Sequence, residues 1–214
     1  MSKLAIYNAA LRIIKQTALA SLTENRAPRR ALDAVWDGEP SAVDYALTQG
    51  LWNFAMRGKQ LEQRSDLTTA FGYTYAFAKP SDSLRINKIC VDEALRTPLT
   101  DYQEEMGVIL ANVSPVYVQY VSNDEAYGGN MTLWPPIFKK FLAAYLASEV
   151  AGEVTGDDNL EKKALNLMAA HRNDARSKDA LEQAPSFLPE RGTFRQARAG
   201  GRGTFNGNNN GGVY

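Results

Sequence analysis

The sequence is poor in the side chains that do chemistry. Its 214 residues include one histidine, His171, and one cysteine, Cys90. A lone cysteine excludes an internal disulfide and fits assembly in a reducing compartment. So few nitrogen and sulfur donors leave little room for the usual zinc sites. His171 stands among Arg172, Asp174 and Arg176 and reads as a helix surface, with nothing beside it to build a triad. Cys90, between Ile89 and Val91, reads as a buried, inert thiol. The glycine-rich phosphate and dinucleotide loops are missing too. Of the carboxylate pairs, Glu104 and Glu105 would point to opposite faces of a strand. Asp157 and Asp158 fit a helix start. The expectation is no catalytic residue, no cofactor and no metal, and so not an enzyme.

Charge of one sign is also lacking. Lys plus Arg is 24 and Asp plus Glu is 24, a formal net charge of zero. Chains whose main task is gripping DNA or an anionic membrane usually carry a basic excess. The most apolar stretch, Ile137 to Val154, contains Lys139, Lys140, Glu149 and Glu153 and is too short and charged to span a bilayer. No apolar signal core follows Met1-Ser2-Lys3-Leu4. A soluble protein made in the cytoplasm is expected. Asn112-Val113-Ser114 and Asn130-Met131-Thr132 are then chance glycosylation matches.

What is present is helical periodicity interrupted by strand-like runs. Leu4, Tyr7, Leu11 and Ile14 recur at three-and-four spacing, a helix stripe, and Ile6, Ala10 and Ile13 add a second. Pro28 suits a first helical turn, and Ser41 suits an N-cap. Trp36, Tyr45, Trp52 and Phe54 form an aromatic set at helical spacing, read as core. After about residue 65 the pattern changes. Tyr73, Tyr75 and Phe77 alternate with small residues; Leu84, Ile86, Ile89 and Val91, then Val108 to Leu110, then Val116 to Ser122, read as further strands. Helix returns at Pro135-Pro136, runs to Gly156, and starts again at Asp157 or Asp158.

From Pro185 the composition shifts. Seven of the sixteen glycines lie between Gly192 and Gly212, and the end is rich in asparagine. Such a segment cannot offset its own ordering entropy. Phe187, Arg191, Phe194, Arg195, Arg198, Arg202, Phe205, Val213 and Tyr214 give it scattered aromatic and basic anchors, suited to ordering on a partner. Arg198 to Gly203 also resembles an RGG segment that tracks nucleic-acid backbone.

The expected fold is mainly α: an antiparallel bundle of four to five helices with an inserted small antiparallel β region and a flexible C-terminal arm. The bundle takes residues 3–62 and 130–184, the insertion 70–122 and the arm 185–214.

The order of the pieces resembles the tail tubular protein A family of podoviruses and related phage head-to-tail adaptors. The similarity covers roughly residues 4–170. Its blocks are Ile6-Tyr7-Asn8-Ala9-Ala10-Leu11; Ala34-Val35-Trp36-Asp37 with Leu51-Trp52-Asn53-Phe54-Ala55; Gly72-Tyr73-Thr74-Tyr75-Ala76-Phe77 with Lys79-Pro80-Ser81-Asp82-Ser83-Leu84-Arg85-Ile86; and Pro135-Pro136-Ile137-Phe138 with Leu142 to Ala147. The resemblance implies a virion structural protein, located in the neck or tail and in the host cytoplasm during assembly. It implies a homo-oligomeric ring, typically of twelve copies. The ring docks on the portal protein, receives a downstream tail or nozzle protein, and passes DNA without sequence-specific contact or any membrane. The nine arm residues named above are the expected portal contacts. The alternative is a nucleic-acid-binding accessory protein acting through the Arg/Gly tail.

Overall fold

The computed structural model describes residues 2–67, 69 and 72–182. Among them are five helices: α1 (Lys3–Ile13), α2 (Ala27–Trp36), α3 (Ala42–Thr48), α4 (Pro136–Thr155) and α5 (Asp158–Leu181). A single 3-10 turn, Asn53–Ala55, follows α3. Six strands lie between α3 and α4: β1 (Met56–Gln60), β2 (Tyr75–Ala78), β3 (Ser83–Cys90), β4 (Tyr102–Glu105), β5 (Val108–Ala111) and β6 (Tyr117–Ser122).

The helix ends follow local chemistry. Ser41 accepts the Asp44 N–H at 3.0 Å and caps α3. Pro28 occupies the first turn of α2, where a missing N–H is harmless. Gly156 ends α4 in the left-handed region, φ +62, which glycine adopts without a Cβ penalty. Asp157 then caps α5 by accepting the Asn159 N–H at 2.9 Å.

The helical core is built around α4. Phe138, Phe141, Leu142, Leu146 and Val150 are buried there against Ile6, Tyr7 and Leu11 of α1, Leu32 of α2 and Leu47 of α3. Each such side chain contributes about 1.5–3 kcal/mol of burial. Of the aromatic set, Trp52 is in the core, Trp36 and Phe54 pack partly buried against it, and Tyr45 is only half-buried. Trp52 is 1 % exposed, stands edge-on to Phe138 at 5.1 Å, and donates its indole N–H to the Ala46 carbonyl at 3.0 Å. Trp36 meets Tyr7 edge-on at 5.7 Å, and Tyr45 stacks on Tyr145 at 4.3 Å.

The expectation of a mainly α fold with a small β insertion is overturned. About 42 % of the structure is helical and 19 % is strand, in two antiparallel three-stranded sheets ordered β1–β6–β3 and β2–β5–β4. This is a mixed α/β fold. The strands that periodicity misses are β1 and β4. Both are edge strands whose residues are largely solvated, so neither shows the apolar alternation that marks a strand. Residues 56–60, assigned to the helical bundle, instead pair with β6 from Met56↔Val121 to Gln60↔Tyr117.

The sheets share a second core of Phe77, Ile89, Ile109, Val118 and Tyr120. The opposite face of β6 turns Val121 into the helical core, where Met56 and Leu84 also pack. The first sheet therefore lies between the helices and the second sheet. Both corners between the sheets are stitched. The chain beyond β1 donates Leu61 N–H to Val116, then pairs with β2 through the Gln63↔Phe77 bridge and Arg64 N–H to Ala76. At the other corner Leu99 donates to Ile89 and Pro98 bridges to Cys90, before β4 pairs with β5. Closure of this kind shortens the exposed edges that invite stray strand pairing.

Candidate functional site

The residues weighed for chemistry are dispersed. His171 is half-buried on α5. Cys90 is buried at the end of β3, and burial pushes its thiol pKa up, away from the reactive thiolate. Glu104 and Glu105 are exposed on β4, and Glu104 pairs with Lys79 at 2.6 Å. Asp157 caps α5 and Asp158 begins it. Among the described residues no three His, Cys, Asp or Glu side chains gather into a metal-binding group. None of these helices is long and apolar enough to cross a membrane.

The densest polar cluster centres on Asp82, in the turn between β2 and β3. Its carboxylate accepts from Arg57 Nη1 of β1 at 2.9 Å, from Tyr120 Oη of β6 at 3.1 Å and from Ser122 Oγ of β6. Arg57 also reaches Asp124 at 3.5 Å and lies over the Tyr127 ring at 4.9 Å. Burial works to raise the Asp82 pKa, but the donors from Ser122, Tyr120 and Arg57 outweigh it and hold the carboxyl below its usual range. Burial and the facing Asp82 lift the Tyr120 pKa to about 12. A carboxylate held ionised by three donors is a fixed joint, badly matched to proton transfer near neutral pH.

The same turn carries two further ties. Leu84 packs on the helical core. Arg85 Nη1 donates to the Thr48 carbonyl at the end of α3 at 3.3 Å, where a cation satisfies an orphan carbonyl and complements the helix dipole. The run Asp82–Arg85 thus fastens both sheet strands and a helix end. The sequence offers the turn but not its partners: Arg57, Tyr120 and Ser122 lie far along the chain.

A second cluster joins α1 to α2. Lys3 Nζ lies 5.4 Å from the Tyr7 ring and 5.1 Å from Trp36, and pairs with Asp37 at 3.4 Å. Tyr7 donates to Asp33 at 2.8 Å, and Arg29 pairs with Asp33 on its own helix. Burial first, then the Asp33 carboxylate, raises the Tyr7 pKa.

The end of α5 is held against the turn after α3. Asn53 donates its backbone N–H to Asp179 Oδ1 at 2.9 Å and its side-chain amide to the Asp179 carbonyl at 2.7 Å. The nine residues expected to contact the portal, Phe187, Arg191, Phe194, Arg195, Arg198, Arg202, Phe205, Val213 and Tyr214, lie outside the described residues.

Two open clefts flank the end of β1. One, of about 230 Å³, lies between residues 59–62 and 78–81. The other, of about 300 Å³, is lined by Gly58, Lys59, Gln60, Glu93, Leu95 and Tyr117. No family model matches the chain, and no curated protein matches it.

Proposed function

We propose that the chain is a structural virion protein: a head-to-tail adaptor that forms a ring on the portal protein, continues the DNA channel and receives the next tail component. The observation that carries this reading is the ordered resemblance of four sequence blocks to phage adaptors of the tail tubular protein A kind. Each block lies at a joint of the body. Ile6, Tyr7 and Leu11 seat α1 on α4. Trp36 and Trp52 anchor the aromatic core. Asp82, Leu84 and Arg85 fasten the first sheet to the helices. Pro136 to Ala147 forms the central helix.

Closed rings use heterologous contacts, one face of a subunit meeting a different face of its neighbour. A chain with balanced charge can pair such faces. Its zero net charge is compatible with a passive conduit, whereas a strongly basic channel wall would hold DNA phosphates fast.

Electron microscopy of the purified chain mixed with its portal ring tests the reading. A ring of added density beneath the portal is the expected result. Failure to dock across a range of concentrations sinks it. Salt-dependent DNA binding lost on deleting residues 190–214 would instead favour an accessory protein acting through the Arg/Gly segment.

A further inference from the structure

The α1–α2 pair is polarised in charge. Lys3 meets Asp37 and Tyr7 meets Asp33 across it, so the two helices run antiparallel. That register brings the Arg12–Lys15 end of α1 beside the Arg26–Arg30 start of α2. Arg26 Nη1 accordingly reaches the Ala18 carbonyl, just past α1, at 3.3 Å. Five basic side chains, Arg12, Lys15, Arg26, Arg29 and Arg30, therefore share one end of the pair. From residue 12 to residue 30 the one acid is Glu24. Five bases against one acid leave this stretch at plus four, and the rest of the neutral chain at minus four.

The chain neutralises this end only in part. Arg29 pairs with Asp33, and Arg26 with Glu24 at 3.7 Å. Arg12, Lys15 and Arg30 are exposed, and none has an ion pair among the described residues. Arg30 hydrogen-bonds only the neutral Asn25 amide, at 2.7 Å. Two local costs keep the charge there. Lys15 sits at φ +57, a left-handed position at a helix end that glycine normally fills. Arginines at the start of α2, which has no acid in its first turn, oppose the helix dipole.

We propose that this corner binds the phosphate backbone of duplex DNA and is where the chain touches the DNA it passes. Four of the five bases are arginine, whose planar fork matches a phosphate. Exposed Thr17, Thr23 and Asn25 add neutral polar groups beside them. An anionic membrane fits less well, because the corner's one exposed large hydrophobic, Leu22, is only 36 % exposed. Phosphate contacts carry no sequence information, so the binding is sequence-independent. The minus four carried elsewhere confines the attraction to one corner, which guides DNA without making the whole surface hold it.

Fluorescence anisotropy of a labelled duplex with the full-length chain, between about 50 and 200 mM salt, tests this. Arg12→Gln, Lys15→Gln and Arg30→Gln are combined, since their loss breaks no ion pair. The triple variant should keep its thermal midpoint and bind about tenfold or more weakly. Its log–log salt slope should be shallower by about 2–3, and Arg30→Gln alone by about 1. A parent that does not bind the duplex at the lowest salt overturns the proposal. So do variants with unchanged affinity and slope, and loss confined to a chain with Arg191, Arg195, Arg198 and Arg202 changed to Gln. Parent binding to poly-glutamate or to phosphatidylserine vesicles as tight as to DNA overturns it too. The choice of DNA rests on the adaptor reading, so docking on the portal ring is scored separately. A chain that docks, but whose triple variant binds DNA like the parent, overturns the corner and leaves the ring standing. A chain that binds DNA through the corner yet never docks overturns the ring and leaves the corner standing.

Discussion

Asn53 and Asp179, separated by 126 positions, clasp each other through two hydrogen bonds, one of them from a backbone N–H to a carboxylate. This clasp fixes the last turn of α5 on the helical body, at the point from which residues 183–214 continue. Asp179→Ala should therefore destabilise the chain by about 1–2 kcal/mol, because the Asn53 N–H loses its acceptor. Asp179→Asn keeps an oxygen in place and should be at least as stable as the parent at neutral pH. Burial raises the Asp179 pKa above its ordinary 3.8, with the Asn53 N–H opposing and Glu182 adding to the rise. The folded state thus binds this proton more readily than the unfolded state. Lowering the pH through the folded value adds stability to the parent, so any advantage of Asp179→Asn should shrink. Denaturant midpoints of the pair, followed from neutral pH downward, check this.

Asp82 titrates with the opposite sign. Its folded pKa lies below 3.8, so its contribution is fully present above the unfolded value and is lost as the pH falls through the folded one. Asp82→Ala should cost about 2–3 kcal/mol at neutral pH, since Arg57, Tyr120 and Ser122 all lose their acceptor. The deficit should narrow when both proteins are unfolded at about pH 3. An equal deficit at both pH values would contradict the ionised joint described above.

Gly128 is a steric requirement. A Cβ there would stand 2.2 Å from the Ser122 carbonyl oxygen and 2.9 Å from Leu47 Cδ1. Gly128→Ala should destabilise by about 1–3 kcal/mol through overpacking. The neighbouring Trp134 indole, which donates to the Gly128 carbonyl at 2.7 Å, should report the shift as altered fluorescence.

Met106, between β4 and β5, sits at φ +47, so Met106→Asn should stabilise the fold by about 1 kcal/mol, because asparagine tolerates the left-handed backbone that methionine resists. A thermal midpoint unchanged or lowered would show that the hairpin tip is not strained.

The helices were legible because their burial is periodic. Tyr7, Leu11 and Ile14 mark the buried stripe of α1 and its continuation. Ser41, Gly156 and Asp157 announce helix ends because capping is local chemistry. The central strands β5 and β6 were legible for a similar reason: they are buried and apolar. The balance of helix to sheet was not. Met56-Arg57-Gly58-Lys59-Gln60 becomes a strand only because β6, about sixty residues later, offers it a partner, and no window of sequence contains both. The Asp82 joint was hidden likewise. Its turn is visible in Pro80-Ser81-Asp82, but its donors come from strands that meet only in the folded chain. The strain at Met106 could not be read either, since a positive φ leaves no mark when the residue is not glycine.

The placement of α4 has a consequence for how the chain is made. The helices α1, α2 and α3 close their core on α4, yet all six strands are synthesised in between. Until α4 emerges from the ribosome, the apolar faces of the first three helices lack most of their native cover, and β1 must wait for β6. The nascent protein therefore spends most of its synthesis with its first third unfinished, a high-contact-order route that is slow and exposed to aggregation. Its completion is set by the arrival of one late helix.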